Sequence, residues 1–129
     1  MRARALIVSI ALTILPAKAG ELSHSYQFTD QSLQYGRCLD DAQSMSDIRR
    51  CMGQEVKHQD ARLTMAYHDA MARLSPEGRH HLQEAERAWI KWRDDECRPT
   101  PGTGSAGATD SLLCQIKQIM RRAAELEHD

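Results

Sequence analysis

Apolar residues recur at steps of three and four along most of this chain, the spacing that lines side chains along one helix face, and the pattern predicts helices and little else. The stretch 75–97 is the organising one. Ser75 is placed to cap a helix, Pro76 suits the first helical position, where its missing N–H costs nothing, and Glu77 sets negative charge near the positive end of the helix dipole. Leu82, Ala85, Trp89 and Trp92 follow along one face, which is expected to be core. Upstream, Met52, Val56, Leu63, Tyr67, Ala70, Met71 and Leu74 keep helical spacing with no proline until Pro76. A helix begun at Ser46-Asp47 and ending at Leu74 would be roughly 40 Å long, a spine for the domain. A shorter helix before it, capped by Thr29 or Asp30, carries Leu33, Cys38 and Leu39 and ends near Gln43. A last helix, capped by Thr109 or Asp110, presents Leu112, Leu113, Ile116, Ile119, Met120, Ala123 and Leu126 as a broad apolar face.

Only Ser75 separates the spine from the Pro76 helix, so the two are expected to fold back as an antiparallel hairpin. Asp60 falls inside the apolar stripe, between Val56 and Leu63. A carboxylate there must be paired or sit at the edge of the face, because burial alone would cost several kcal/mol. The hairpin brings it to the height of Trp89 and Arg93. The expectation is a structural Asp60–Arg93 ion pair beside Trp89 and Tyr67, and no catalytic role for Asp60, which lacks a second carboxylate at a committed distance.

The first residues read differently. Arg2 and Arg4 precede an apolar run at 5–15 that is short for a bilayer span, and Pro16-Ala17-Lys18-Ala19 is a small-residue cleavage site. Residues 1–19 are therefore expected to be a cleaved signal peptide, 20–28 a loose leader and 29–129 the helical domain. No cysteine follows the cleavage site, so neither a lipid anchor nor membrane insertion after cleavage is expected. Export to the periplasm or beyond changes how the four cysteines are read. Cys38, Cys51, Cys97 and Cys114 all lie in the mature part, and an even count in an exported chain reads as two disulfides. Of the three pairings open to four cysteines, the sequential one, Cys38–Cys51 and Cys97–Cys114, is favoured because each bridge would close a turn between neighbouring helices. The fold expected is thus all-α, a small antiparallel bundle of three to four helices stapled by two disulfides.

Losing Arg2, Arg4 and Lys18 leaves 14 basic against 18 acidic residues, and that acidity does not recommend nucleic acid or anionic lipid as a partner. Enzyme signatures are missing: there is no nucleophile elbow, no phosphate-cradling glycine loop and no His-Glu-x-x-His. His80 and His81 with Glu84, and His58 or His68, would be the candidate metal cluster, but it has no i, i+4 histidine pair, so neither metal nor cofactor is expected. The stretch after Cys97 is rich in proline and glycine up to Gly107 and is expected to be one long exposed loop pinned at both ends by Cys97–Cys114. Its Arg98, Thr100, Thr103 and Ser105 are the candidate partner-binding residues.

Taken together, Asp60-x-x-Leu63-x-x-x-Tyr67, Ala88-Trp89-x-x-x-Arg93-Asp94-x-x-Cys97, Gly104-Ser105, Cys114 and Arg122-x-x-Glu125-Leu126 resemble the N-terminal domain of the LprI-type lysozyme inhibitors. The resemblance runs from Cys38 to Leu126, with the Trp-Arg-Asp-Cys segment its most specific part. Thr64, Glu86 and Ile119 depart from the family's usual Asn, Gln and Thr. What the resemblance implies is a non-enzymatic protein that binds lysozyme and protects the cell wall. Physically, a disulfide-anchored loop offering a cation and hydroxyls suits a cleft built around two carboxylates. The other class open to the sequence is a periplasmic interaction module that grips an envelope protein through a helical face.

Overall fold

Four helices form among the described residues, and the first three begin where a serine side chain can satisfy one of the first free N–H groups. They are α1 (Leu33–Asp41), α2 (Met45–Arg73), α3 (Pro76–Glu96) and α4 (Gly104–His128), with no strand. The structure, a computed structural model, describes residues 31–128. The expected signal segment at 1–19, the leader at 20–28 and the Thr29 or Asp30 cap lie outside the described residues.

Ser32 caps α1, its hydroxyl accepting from Tyr35 N at 3.1 Å. The spine starts one residue before the expected Ser46-Asp47. Ser44 accepts from Asp47 N at 3.1 Å while Asp47 Oδ2 accepts from Gln43 N at 3.3 Å, a reciprocal box that settles the start of α2 at Met45. Ser75 caps α3 through Gly78 N at 3.2 Å, with Pro76 in its first turn. The largest departure is α4, which begins at Gly104 and not near Asp110. Glycine had marked this stretch as a breaker, yet Gly107 is buried and packs so closely on Thr103 that a Cβ there would collide with the threonine side chain. Close packing, not a turn, explains that glycine.

The two long helices α2 and α4 make the core and run parallel, since the order of partners rises together along both. Cys51 and Met52 meet Ile116 and Met120 at one end, joined by Tyr35 of α1. Leu63, Ala66 and Ala70 meet Ile119, Ala123 and Leu126 further along. With α3 returning between them in sequence, the bundle is up, down, up. The Cys38–Cys51 and Cys97–Cys114 bridges, with Cα atoms 5.7 and 5.4 Å apart, pair sequential cysteines and tie α1 to α2 and α3 to α4. Closing 17 residues in the second bridge restrains the unfolded chain by about 3 kcal/mol.

The apolar face of α3 does not become core as expected. No residue of α3 is fully buried, and Trp92 is 42% exposed. Leu82 and the half-buried Trp89 lean on the α2–α4 core from one side. The alanines of the α2–α4 seam bring those two helices together, and α3 is left at their flank.

What is buried instead is polar. Glu55 and Gln59 are each 1% exposed, in register with Met52 and Leu63 on the inner stripe of α2. Glu55 accepts from Ser32 N at 3.0 Å, from the Ser32 hydroxyl and from Gln59 Nε2 at 2.7 Å. It thereby fastens the start of α1 to the middle of α2. Burial, with the nearby Glu55 carboxylate, pushes the Tyr35 hydroxyl above the usual tyrosine range.

Two outcomes follow from these ties. Glu55→Ala removes the acceptor and leaves Ser32 N–H unsatisfied, so urea unfolding should show a loss of about 2 to 4 kcal/mol. At the far end, Arg62 donates to Glu127 through Nε at 2.8 Å and Nη2 at 2.6 Å. Those hydrogen bonds, against a smaller opposing effect of burial, hold the Glu127 carboxyl below its ordinary value of 4.5. A depressed acid stabilises above its ordinary value and loses that contribution as pH falls through the folded value. Melting temperature measured from about pH 5 to about pH 3 should therefore fall less steeply in Glu127→Gln, the free energy at stake being under about 1 kcal/mol because the pair is partly exposed.

Candidate functional site

Two surfaces concentrate side chains that could recognise a partner, and they lie in different parts of the bundle. The first is the turn between α3 and α4. Because α4 starts at Gly104, this loop is residues 98–103, shorter than expected, and Ser105 belongs to the first turn of the helix. Its base is the buried Cys97 bridged to Cys114. Thr103 closes the turn, its N–H and its hydroxyl both donating to Thr100 O at 3.3 and 2.6 Å. Gly102 and Gly104, at φ 83° and 56°, supply the left-handed backbone that the reversal needs. Two prolines stiffen the remainder. The Arg98 side chain is 69% exposed and held by Asp95 one turn back. Thr100 and Ser105 are exposed as well. The Thr103 hydroxyl proton is engaged within the turn, so of the four residues singled out from sequence it is the one with no free donor to offer.

The second surface is an open groove of about 640 Å³ between α2 and α3. Here the structure brings together Asp60, Tyr67, Trp89 and Arg93, all four of which line it. Arg93 Nη1 stands 3.7 Å from Asp60 Oδ1, and the guanidinium lies 5.2 Å from the centroid of the Trp89 ring. Its shorter partner is Asp94, whose Oδ1 accepts from Arg93 Nε at 3.0 Å and Nη2 at 2.7 Å. Asp60, read from sequence as lying inside the apolar stripe, sits at its edge with a half-exposed side chain. These residues wall an accessible groove between the splayed helices and do not form a sealed core.

One contact in this region has no precedent in the sequence reading. Glu86 of α3 accepts from Arg122 Nε of α4 at 2.9 Å, both side chains being largely buried, and Glu125 accepts from Arg122 Nη1 at 3.1 Å. Burial would depress the guanidinium, but the hydrogen bonds and charges of Glu125 and Glu86 outweigh it and raise Arg122 above the ordinary arginine value. Nothing local marks Glu86 as a partner of a residue 36 positions away. A further pair, Arg121 over Trp92 at 5.6 Å, also joins α3 to α4.

The histidines gather as sequence spacing implies for neighbours on one helix. His80, His81 and Glu84 place ligand-type atoms within 4.8 Å of one another, all exposed, while His58 and His68 on α2 are not part of the group. His80 and His81 are each matched with a glutamate one turn away, Glu84 at 3.5 Å and Glu77 at 3.8 Å. Among the described residues no helix is long and apolar enough to cross a membrane.

Comparison with known families finds that the family of the lysozyme inhibitor LprI aligns with residues 38–126. No curated protein and no solved structure matches the chain. The matched span starts at the first cysteine and ends at the last buried residue of α4, so it takes in both disulfides and both candidate surfaces.

The ion-pair geometry yields a test of the groove's structural part. Arg93→Ala loses the Asp60 and Asp94 contacts and the cover over Trp89, together about 1 kcal/mol, since both aspartate partners are exposed to solvent. In a domain of this size that should lower the melting temperature by about 4 to 8 °C, read by circular dichroism.

Proposed function

This chain belongs to the LprI lysozyme inhibitor family, and from that premise we propose that it is an exported protein that binds lysozyme and blocks cell-wall hydrolysis. The observation that carries the reading is the family match over residues 38–126, a span that holds both disulfides. A cleavable signal at residues 1–19 would deliver it to the periplasm or the exterior, where both bridges form.

The tip at 98–103 suits the task. A lysozyme cleft holds two carboxylates in a channel shaped for a sugar chain. The tip is narrow, braced at its base by Cys97–Cys114 and internally by the Thr100–Thr103 turn, so little conformational entropy is lost when it is gripped. Arg98 brings a cation toward the acids, and the Thr100 and Ser105 hydroxyls bring donors. Inhibition of this kind is occupancy and needs no chemistry from the inhibitor. The excess of acidic residues after signal removal would speed encounter with a basic lysozyme.

A second reading keeps the protein as an envelope interaction module that binds through a helical face. The exposure of Ile90 and Trp92 on α3 favours it, since these are large apolar side chains left in water.

The deciding experiment is hydrolysis of bacterial cell walls by a c-type lysozyme, with and without an excess of oxidised residues 20–129. Inhibition is expected, and is expected to vanish when residues 98–103 are replaced by a Gly-Ser linker that keeps both cysteines and the melting transition. Inhibition that survives the swap removes the tip as the contact. Absence of inhibition against c-, g- and i-type lysozymes alike would favour the interaction module.

A further inference from the structure

The groove between α2 and α3 has a lining that the lysozyme contact at 98–103 does not use. Its volume, about 640 Å³, falls within the usual range for small-molecule sites, about 300–1,000 Å³. Its lining combines two chemistries. Leu63 is buried and Tyr67 and Trp89 half-buried, so the inner surface is apolar and partly aromatic, whereas Asp60, Gln83 and Arg87 are exposed polar groups along the rim. The lining charges are equal in number: two carboxylates, Asp60 and Glu86, and two guanidiniums, Arg87 and Arg93, with Glu86 already paired to Arg122 of α4 and Arg93 to Asp94.

Each of these features narrows the ligand. A lining without net charge does not select an ion. A groove open along one side with a polar rim does not suit a lipid chain, which needs apolar enclosure. A sugar ring has what this surface matches, an apolar C–H face for an aromatic ring and a girdle of hydroxyls for carboxylate, amide and guanidinium groups. We propose that the α2–α3 groove binds a short, neutral oligosaccharide, with Trp89 and Tyr67 receiving the ring faces and Asp60, Gln83 and Arg87 its hydroxyls. Arg93, lying 5.2 Å from the Trp89 centroid and 3.7 Å from Asp60, holds the aromatic and the acceptor in place before the ligand arrives. It is a positioning residue.

The test is direct titration of the oxidised protein with a β-1,4-linked N-acetylglucosamine tetramer and with a glucose tetramer, read by calorimetry and tryptophan fluorescence. Saturable binding to either is expected. Trp89→Ala should weaken it by about tenfold or more, Gln83→Ala and Arg87→Ala several-fold each, and Trp92→Ala not at all. The two rim positions are exposed, so they decide the matter if Trp89→Ala fails to fold. No heat and no fluorescence change at millimolar sugar overturns the proposal, and so does binding that survives the groove substitutions. Because binding is read directly, the result is independent of whether lysozyme is inhibited.

Discussion

The parallel packing of α2 on α4 is the constraint from which the other features derive. Ala66 and Ala70 on one helix and Ala123 on the other are buried small residues, and they allow two long helices to share a seam. Large residues, Leu63, Ile119 and Leu126, fill the space beside that seam. A helix pair satisfied in this way has little apolar surface left for a third partner. Helix α3 is consequently held at separate points, among them Leu82, Trp89, the Glu86–Arg122 pair and a disulfide at its C-terminal end. Its loose attachment to α2 is what opens the groove.

The two ends of the molecule are stabilised by different physics. At the cysteine end, covalent bridges restrain the unfolded chain and fix α1 and the 98–103 turn against the long helices. At the opposite end there is no bridge, and the two-pronged Arg62–Glu127 pair, with Arg73 Nη2 donating to Leu126 O at 3.1 Å, takes over. The rigid tip sits at the covalent end.

Part of both candidate surfaces was legible beforehand. The meeting of Asp60 with Arg93 followed from hairpin register, since the two residues lie 15 and 18 positions from Ser75 and a long guanidinium side chain spans the difference. The 98–103 turn was visible from its prolines and its flanking cysteines. Its true length was not, because Gly104 to Gly107 look like loop by composition and become helix only when Thr103 and Thr100 pack against them. Ser105 was assigned to the loop for the same reason.

What the sequence determined by itself is what rests on contacts within a turn or two of the chain: the Ser75-Pro76 helix start, the helical spacing of 52–74 and 112–126, and cysteines close enough in sequence to bridge neighbouring helices. Hydrogen bonds from i to i+4 and short loop closures encode these locally. Tertiary structure alone decided which apolar stripe became core. The stripe of α3, richest in tryptophan, was left at the flank, while Glu55 and Gln59 were drawn inside because Ser32 of another segment arrives to satisfy the carboxylate. Burial is a property of the partner that covers a face, and no local pattern names that partner.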